Sequence, residues 1–190
     1  MSQLARQRYT FRQYVDLEQL SPVKHEFLNG EVWAMAGGTP DHSAIAVNIA
    51  ALLSTQLRGR PCRVFNSDLR IRVEATGLGT YPDVSVVCDS LQRDPEDPTG
   101  TTIVNPTLLV EVLSPSTEDY DQGEKLLNYK QVPSLMEIAL VAHDAQRIDV
   151  WRREGASWSR TTFEGAAEAE LSALGVVLPL QEVFRNPLEE

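Results

Sequence analysis

The stretch PTLLVEVLSPST, residues 106–117, places a carboxylate inside an apolar run. Glu111 stands between Val110 and Val112, and the apolar residues around it are typical of a buried strand. Burying an unpaired carboxylate is costly unless a cation, a proton or hydrogen-bond donors neutralise it. The stretch therefore predicts a central strand from Leu108 to Leu113 and, near its end, a polar site that balances Glu111.

A second carboxylate opens the preceding apolar run. Asp83 follows Pro82 and begins DVSVVC, residues 83–88, which is also typical of a strand covered on both faces. If the two strands pair, Asp83 and Glu111 come together, and a divalent metal or a shared proton is the usual resolution. Hard oxygen ligands suit magnesium or manganese. The alternative is a turn or N-cap aspartate and a glutamate paired with an arginine.

Lys125 lies 14 residues after Glu111, on a helix predicted to begin near Asp121 and to end before Pro133. That helix can carry an ammonium back over the end of the glutamate strand. A lysine beside metal-bound carboxylates can orient or deprotonate the attacking water and stabilise developing charge. The alternative is a surface lysine paired with Asp121 at i−4.

The elements around this centre predict an α+β, α/β-like domain with a mixed central sheet flanked by helices. The strand, helix, strand order between residues 108 and 141 favours a right-handed crossover. The remaining predicted elements are an N-terminal helix capped by Thr10, a hairpin turning at Asn29-Gly30, a helix capped by Asp41 or Ser43 and ended by Gly59, a strand over 64–73, and a hairpin around Glu154-Gly155.

Composition bounds the class of protein. A chain of 190 residues, 42% hydrophobic, is expected to form a single domain over residues 1–190. No apolar stretch is long enough to span a membrane and the N-terminus lacks a signal-peptide block, so a cytoplasmic location is expected. Cys62 and Cys88 have no ligand spacing and are interpreted as buried free thiols. The net charge of −10 disfavours non-specific attraction to nucleic acid, but it does not exclude a local basic strip or a bridging metal.

Five segments in order resemble a known family: KHEFLNGEVWAMAGG, HSAIAVNIAALL, YPDVSVVC, LLVEVLSPST and YDQGEKLLNYK. They are similar to the Uma-two family, named as putative restriction endonucleases (domain of unknown function 820), within the PD-(D/E)XK nuclease superfamily. The resemblance runs from about Tyr14 to Phe184. It implies a restriction-endonuclease-like fold, a magnesium or manganese cofactor, nucleic acid as substrate with DNA favoured, and a homodimer.

The resemblance also implies roles for individual residues. Asp83 matches the motif aspartate and Glu111 the acidic residue of the (D/E)XK half, both as metal ligands. The motif lysine is expected at position 113, where this sequence has leucine, and a lysine migrated to the following helix would be Lys125. Glu26 matches an upstream acidic position and would be a further metal ligand or a group that orients water, with a hairpin-edge glutamate as the alternative.

Several other residues have both a functional and a purely structural interpretation. His42 could face the cleft, but a capping or exposed histidine is the blander interpretation. Asp68 could lie near the site or in a turn at a strand end. Two tryptophans on the C-terminal hairpin are more typical of core or interface than of base stacking, and three arginines form a basic strip that either contacts phosphates or is a solvated face. These are Trp151, Trp158, Arg147, Arg152 and Arg153.

Two functions follow from these observations. The first is a metal-dependent endonuclease in which Asp83, Glu111, Lys125 and Glu26 serve catalysis. The second is an inactive nuclease-like fold that acts as a homodimeric binding or regulatory module, which the acidic composition and the leucine at position 113 favour.

Overall fold

The structure, a computed structural model, describes residues 8–114, 118–186 and 188. Residues 115–117 of the SPST segment lie outside the described residues. The helices are α1 (Phe11–Leu20), α2 (Pro40–Gln56), α3 (Glu118–Tyr120), a π-helical turn (Asp121–Lys125), α4 (Leu126–Tyr129) and α5 (Leu180–Val183). The strands are β1 (His25–Leu28), β2 (Glu31–Ala34), β3 (Cys62–Asn66), β4 (Arg70–Val73), β5 (Leu78–Thr80), β6 (Val84–Cys88), β7 (Thr102–Ile103), β8 (Leu108–Leu113), β9 (Glu137–Ala142), β10 (Arg147–Glu154), β11 (Ser157–Glu164), β12 (Glu168–Leu171) and β13 (Val176–Pro179).

The strands form a six-stranded sheet in the order β11-β10-β9-β8-β6-β3 and a five-stranded sheet in the order β2-β1-β5-β4-β7. In the six-stranded sheet β8 pairs antiparallel with β6 and parallel with β9. The segment from α3 to α4 connects β8 to its parallel neighbour β9. The predicted mixed sheet flanked by helices is confirmed, and β8 and β9 are buried along their whole length, as their apolar sequences require.

Two apolar clusters cover the two faces of the six-stranded sheet. On one face α2 packs with Ile45, Ile49 and Leu53 against alternate residues of the sheet, together with the β12-β13 ribbon and α5. On the other face Leu109 and Leu113 pack with residues of α4 and of the five-stranded sheet. Because side chains alternate along a strand, Glu111 belongs to this second face. The five-stranded sheet therefore closes over the face that carries the predicted site.

Several predicted local elements are confirmed with their physical causes. The Thr10 hydroxyl accepts a hydrogen bond from the backbone N–H of Gln13, and the Gln13 side chain accepts one from the Thr10 N–H, which is a capping box. Asn29 and Gly30 have φ values of 52° and 86°, as a type I′ turn between β1 and β2 requires.

Three expectations are wrong. The strand predicted over 64–73 breaks into β3 and β4, which lie in different sheets, because Asn66 and Asp68 form a side-chain-stabilised turn in which the Asn66 Oδ1 accepts from the Asp68 N–H at 3.1 Å. The N-cap of α2 is Thr39, whose hydroxyl accepts from the His42 N–H. Cys62 and Cys88 are not free thiols, because β3 and β6 pair them directly and they form a disulfide.

Within the described residues no helix is long and apolar enough to cross a membrane.

Candidate active site

The antiparallel register of β6 and β8 brings the carboxylates of Asp83 and Glu111 together. Val84 lies opposite Val110, so Asp83, the residue before β6, comes beside Glu111. The Asp83 Oδ2 accepts a hydrogen bond from the Val112 N–H at 2.8 Å, which fixes this carboxylate against the glutamate strand. Sequence predicted this juxtaposition only on the condition that the strands pair, and the structure shows that they do.

Lys125 occupies the centre of the site. Its Nζ lies 2.9 Å from the Glu111 Oε1, 3.2 Å from the Asp121 Oδ1 and 3.3 Å from the Glu26 Oε1. The residue is only 4% exposed. The sequence offered two alternatives for Lys125, a pair with Asp121 on its own helix and a contact with the glutamate strand. The structure shows both at once.

Glu26 reaches this centre from the other sheet. Its strand β1 lies between β2 and β5, and the side chain is buried. The Thr80 hydroxyl of β5 donates a hydrogen bond to the same Oε1 that contacts Lys125. The site thus lies between the two sheets and depends on their mutual packing.

Leu113 occupies the position where the sequence resemblance predicts a lysine. It lies two residues beyond Glu111, on the same face of β8, and packs in the apolar cluster with Leu126 of α4. An ammonium there would have to be buried among apolar side chains. Lys125 instead brings the positive charge to Glu111 from the neighbouring helical segment.

Burial dominates the electrostatics of Glu111. Burial raises the pKa of Glu111, Lys125 opposes this rise, and the negative charges of Asp83 and Asp121 add to it. Burial by itself lowers the pKa of Lys125, but the charges of Glu111 and its other neighbours outweigh burial and raise the pKa well above its usual value. Lys125 is therefore an ammonium ion at neutral pH, which makes it a donor of hydrogen bonds and positive charge.

The site also contains two tyrosines, Tyr120 and Tyr129, which the sequence analysis did not identify as site residues. The Tyr129 hydroxyl donates to the Glu111 Oε1 at 2.5 Å, and the Tyr120 ring lies 6.0 Å from the Lys125 Nζ. The Tyr120 hydroxyl is buried, and burial and the neighbouring Glu26 carboxylate raise the pKa of Tyr120. The signal for Tyr129 was its spacing, because Asp121, Lys125 and Tyr129 recur every four residues and so share one helix face.

His42, in the first turn of α2, points at Asp83. Its Nε2 lies 3.2 Å from the Asp83 Oδ2, and this hydrogen bond raises the pKa of His42 although burial opposes the rise. The histidine is thus neither the cap of α2 nor a solvent-exposed residue. Asp68, in contrast, forms a surface ion pair with Lys24 at 2.7 Å and takes no part in the site.

The three predicted basic residues of the C-terminal hairpin are engaged within the protein. Arg147 pairs with Asp149 at 3.2 Å, and Arg152 pairs with Glu137 at 2.9 Å. Arg153 donates to backbone carbonyls after α4. These arginines do not form the free basic strip considered from the sequence.

The donor chemistry fits a divalent metal held by two carboxylates. Within residues 8–114, 118–186 and 188, no group of three or more His, Cys, Asp or Glu side chains is arranged to hold a metal ion. The hydrogen bonds and ion pairs described above use the Oδ2 of Asp83 and the Oε1 of Glu111. Among contacts of the described residues, the Asp83 Oδ1 and the Glu111 Oε2 are not used, and two such oxygens suit a hard cation such as Mg²⁺, which usually keeps several waters and binds few carboxylates.

Comparisons with known proteins agree with this architecture. A family model described as Uma2, putative restriction endonuclease, matches residues 11–181. Two uncharacterized proteins of Synechocystis sp., slr1290 and sll1609, are 35% and 29% identical to this chain, over 92% and 88% of it and over 90% and 94% of their own lengths.

A crystal structure described as a putative nuclease belonging to DUF820, from Anabaena variabilis, superimposes with a TM-score of 0.69. The match covers 90% of this chain and 96% of that chain at 20% identity, which is a likeness of fold. Because the family match spans almost the whole chain and the fold agrees with it, the protein belongs to the Uma2 family of putative restriction endonucleases.

Proposed function

We propose that the protein is a metal-dependent endonuclease that hydrolyses phosphodiester bonds of nucleic acid, with DNA as the expected substrate. The observation that carries this proposal is the convergence of Asp83, Glu111 and Lys125 at the end of the central strands. Membership of the Uma2 family supports the same activity.

In this proposal Asp83 and Glu111 hold the cation, and Glu26 holds Lys125 in place through its own ion pair. When bound, a divalent cation polarises a phosphate oxygen and lowers the pKa of a water. Glu26 was predicted as a metal ligand or a group that orients water, and its contact with Lys125 supports a different role, that of positioning the ammonium.

The positive charge of Lys125 would stabilise the oxygen that gains charge as water attacks phosphorus and the P–O bond to the leaving group breaks. Its three carboxylate contacts keep it positively charged, so the geometry favours charge stabilisation over proton abstraction. Tyr129 would hold the Glu111 carboxylate in one orientation through its hydroxyl.

The test combines metal binding with cleavage. Calorimetric titration of Mg²⁺ or Mn²⁺ at low salt should show binding to the wild type that disappears in Glu111→Ala. Cleavage of plasmid and of single-stranded oligonucleotides should require the metal and should be lost in Asp83→Asn and Glu111→Ala. Asp68→Asn removes a surface carboxylate outside the site and serves as the matched control.

Cleavage that persists in both site variants would remove the assignment. A wild type that binds nucleic acid but neither binds metal nor cleaves would instead match the second candidate, an inactive binding or regulatory module that is expected to be a homodimer. The burial of Glu111 and Lys125, each 4% exposed, is the observation that favours this alternative.

A further inference from the structure

A pair of cations shares one tryptophan ring at the edge of the six-stranded sheet. The Lys130 Nζ lies 3.4 Å from the centroid of the Trp151 ring, and the Arg160 guanidinium carbon lies 5.6 Å from it. The two charges are therefore no farther apart than the sum of these distances. Trp151 is half-buried and packs against the apolar cluster that also contains Leu109 and Leu113. We call Lys130, Trp151 and Arg160 the cation pair site.

Strand register determines where the cation pair site lies. Trp151 is directly opposite Arg160 of β11, the edge strand, and opposite Ile138 of β9, which in turn is opposite Leu109 of β8. Residues opposite one another project from the same face, so the cation pair site shares a face with Glu111. At about 4.8 Å per strand and about 3.3 Å per residue, the Trp151 Cα is about 12 Å from the Glu111 Cα.

Arg153 holds the backbone of Lys130 in this position. Its Nη2 donates to the carbonyl oxygens of Lys130 and Val132 at 3.2 and 2.6 Å, and its Nε donates to that of Leu135 at 2.7 Å. Its guanidinium also lies 4.5 Å from the ring of Trp158. The segment after α4 is thereby fixed to the hairpin, which orders Lys130 over Trp151.

Nearby carboxylates bond to other groups. Glu154 accepts a hydrogen bond from Ser159, Asp149 pairs with Arg147, and Glu137 pairs with Arg152. Across the described ranges neither Lys130 nor Arg160 has a carboxylate within ion-pair distance. Two like charges held on one ring repel each other, and a bound anion removes that repulsion.

We propose that the cation pair site binds the phosphate backbone of a nucleic acid a few nucleotides from the bond at Glu111. This inference rests on the proposed function. It specifies where on the protein surface the substrate backbone leaves the cleavage site. Duplex phosphates advance about 3.4 Å along the axis per nucleotide, so a separation of about 12 Å that follows the duplex axis spans no more than three or four nucleotides. A chain with a net charge of −10 needs such local cations to hold a polyanion.

The experiment measures binding of fluorescent single-stranded and duplex DNA by anisotropy, without divalent metal, over a series of salt concentrations. The double variant Lys130→Gln/Arg160→Gln should bind roughly 25-fold more weakly to single strands and roughly 60-fold more weakly to duplex at about 0.1 M salt. The negative slope of log K against log salt should become less steep by about 1.8 for duplex and about 1.4 for single strands, the values for two lost phosphate contacts.

Arg63→Gln is the matched control. Arg63 is exposed, and its guanidinium carbon lies 5.8 Å from the ring of Phe65, a geometry close to that of Arg160 on Trp151. It lies on β3, the opposite edge of the same sheet. The substitution removes one charge in a similar environment and should leave both affinity and salt slope unchanged.

The outcomes separate this inference from the proposed endonuclease. Weaker DNA binding in the double variant supports the cation pair site whether or not the wild type cleaves. Equal binding by wild type and double variant overturns it, as does a wild type that binds no nucleic acid. Competition by polyglutamate as effective as that by DNA of equal charge would also overturn it, because the partner would then be an acidic protein.

Discussion

Removal of the ammonium at the centre of the site is the perturbation with the clearest expected magnitude. Lys125 contacts three carboxylate oxygens at 2.9 to 3.3 Å and is almost fully buried. Removing one partner of a buried ion pair costs about 3–5 kcal/mol, because the remaining charges stay desolvated. Lys125→Met keeps the length of the side chain, so we expect the free energy of unfolding to fall by about 4 kcal/mol, measured by urea denaturation.

Lys24→Met is the matched control. Lys24 pairs with Asp68 at 2.7 Å, a shorter distance than any of the Lys125 contacts, but the two side chains are 39% and 75% exposed. Surface ion pairs contribute about 0–1 kcal/mol, so this variant should lose no more than about 1 kcal/mol. The comparison isolates burial as the cause, because the chemistry of the two lysine substitutions is the same.

A double-mutant cycle then tests the contact with Glu111 itself. Glu111→Gln removes one of the unpaired carboxylates while leaving an acceptor for the Tyr129 hydroxyl. We expect Lys125→Met/Glu111→Gln to be more stable than the sum of the single changes by about 1–3 kcal/mol. A loss below about 1 kcal/mol in Lys125→Met, or no coupling in the cycle, would refute the buried arrangement on which the site rests.

Three further predictions concern the scaffold. Asp97 pairs with buried Arg70 at 3.1 Å. Burial alone would raise the pKa of Asp97, but hydrogen bonds from threonines and Arg70 outweigh burial and lower it. A lowered folded-state pKa contributes stability above about pH 4 that is lost as the pH falls, so Asp97→Asn should cost about 3 kcal/mol at pH 7 and flatten acid unfolding between about pH 4 and 2. Reduction of the Cys62–Cys88 disulfide, whose cysteines are 26 residues apart, should cost about 3.5 kcal/mol by loop entropy, and thiol titration of the unreduced protein in urea should find no free thiol. Thr10→Ala removes the capping box of α1 and should lower the unfolding free energy by about 1 kcal/mol in the same assay, whereas an unchanged value would contradict the cap.

The sequence predicted local structure correctly where neighbouring residues alone determine it. The Thr10 cap, the Asn29-Gly30 turn and the buried central strands depend on hydrogen bonds and periodicities within a few residues. The turn that divides β3 from β4 is also local, but its signal at Asn66 and Asp68 was masked by the alternating pattern around it. Periodicity predicted one strand there because two strands of compatible alternation follow each other closely.

Contacts across long separations needed the tertiary structure. The sequence offered Lys125 either to Asp121 or to Glu111, and only the packing of the helical segment on β8 shows that one ammonium contacts both. The disulfide depends on the pairing of β3 with β6, which no spacing between Cys62 and Cys88 encodes.

The carboxylate at position 111 was the clearest signal of a site, because the cost of burying charge is a property of the residue and its apolar neighbours. Which groups meet that carboxylate is decided by register and by the packing of the two sheets, which bring Lys125 and Tyr129 to Glu111 and bring Glu26 to Lys125. The sequence by itself thus determined the family, the central strands and the need for a partner to Glu111. The tertiary structure decided which candidate partners meet Glu111 and added Tyr129 to them, because side chains far apart in the chain meet only when the strands and helices have packed.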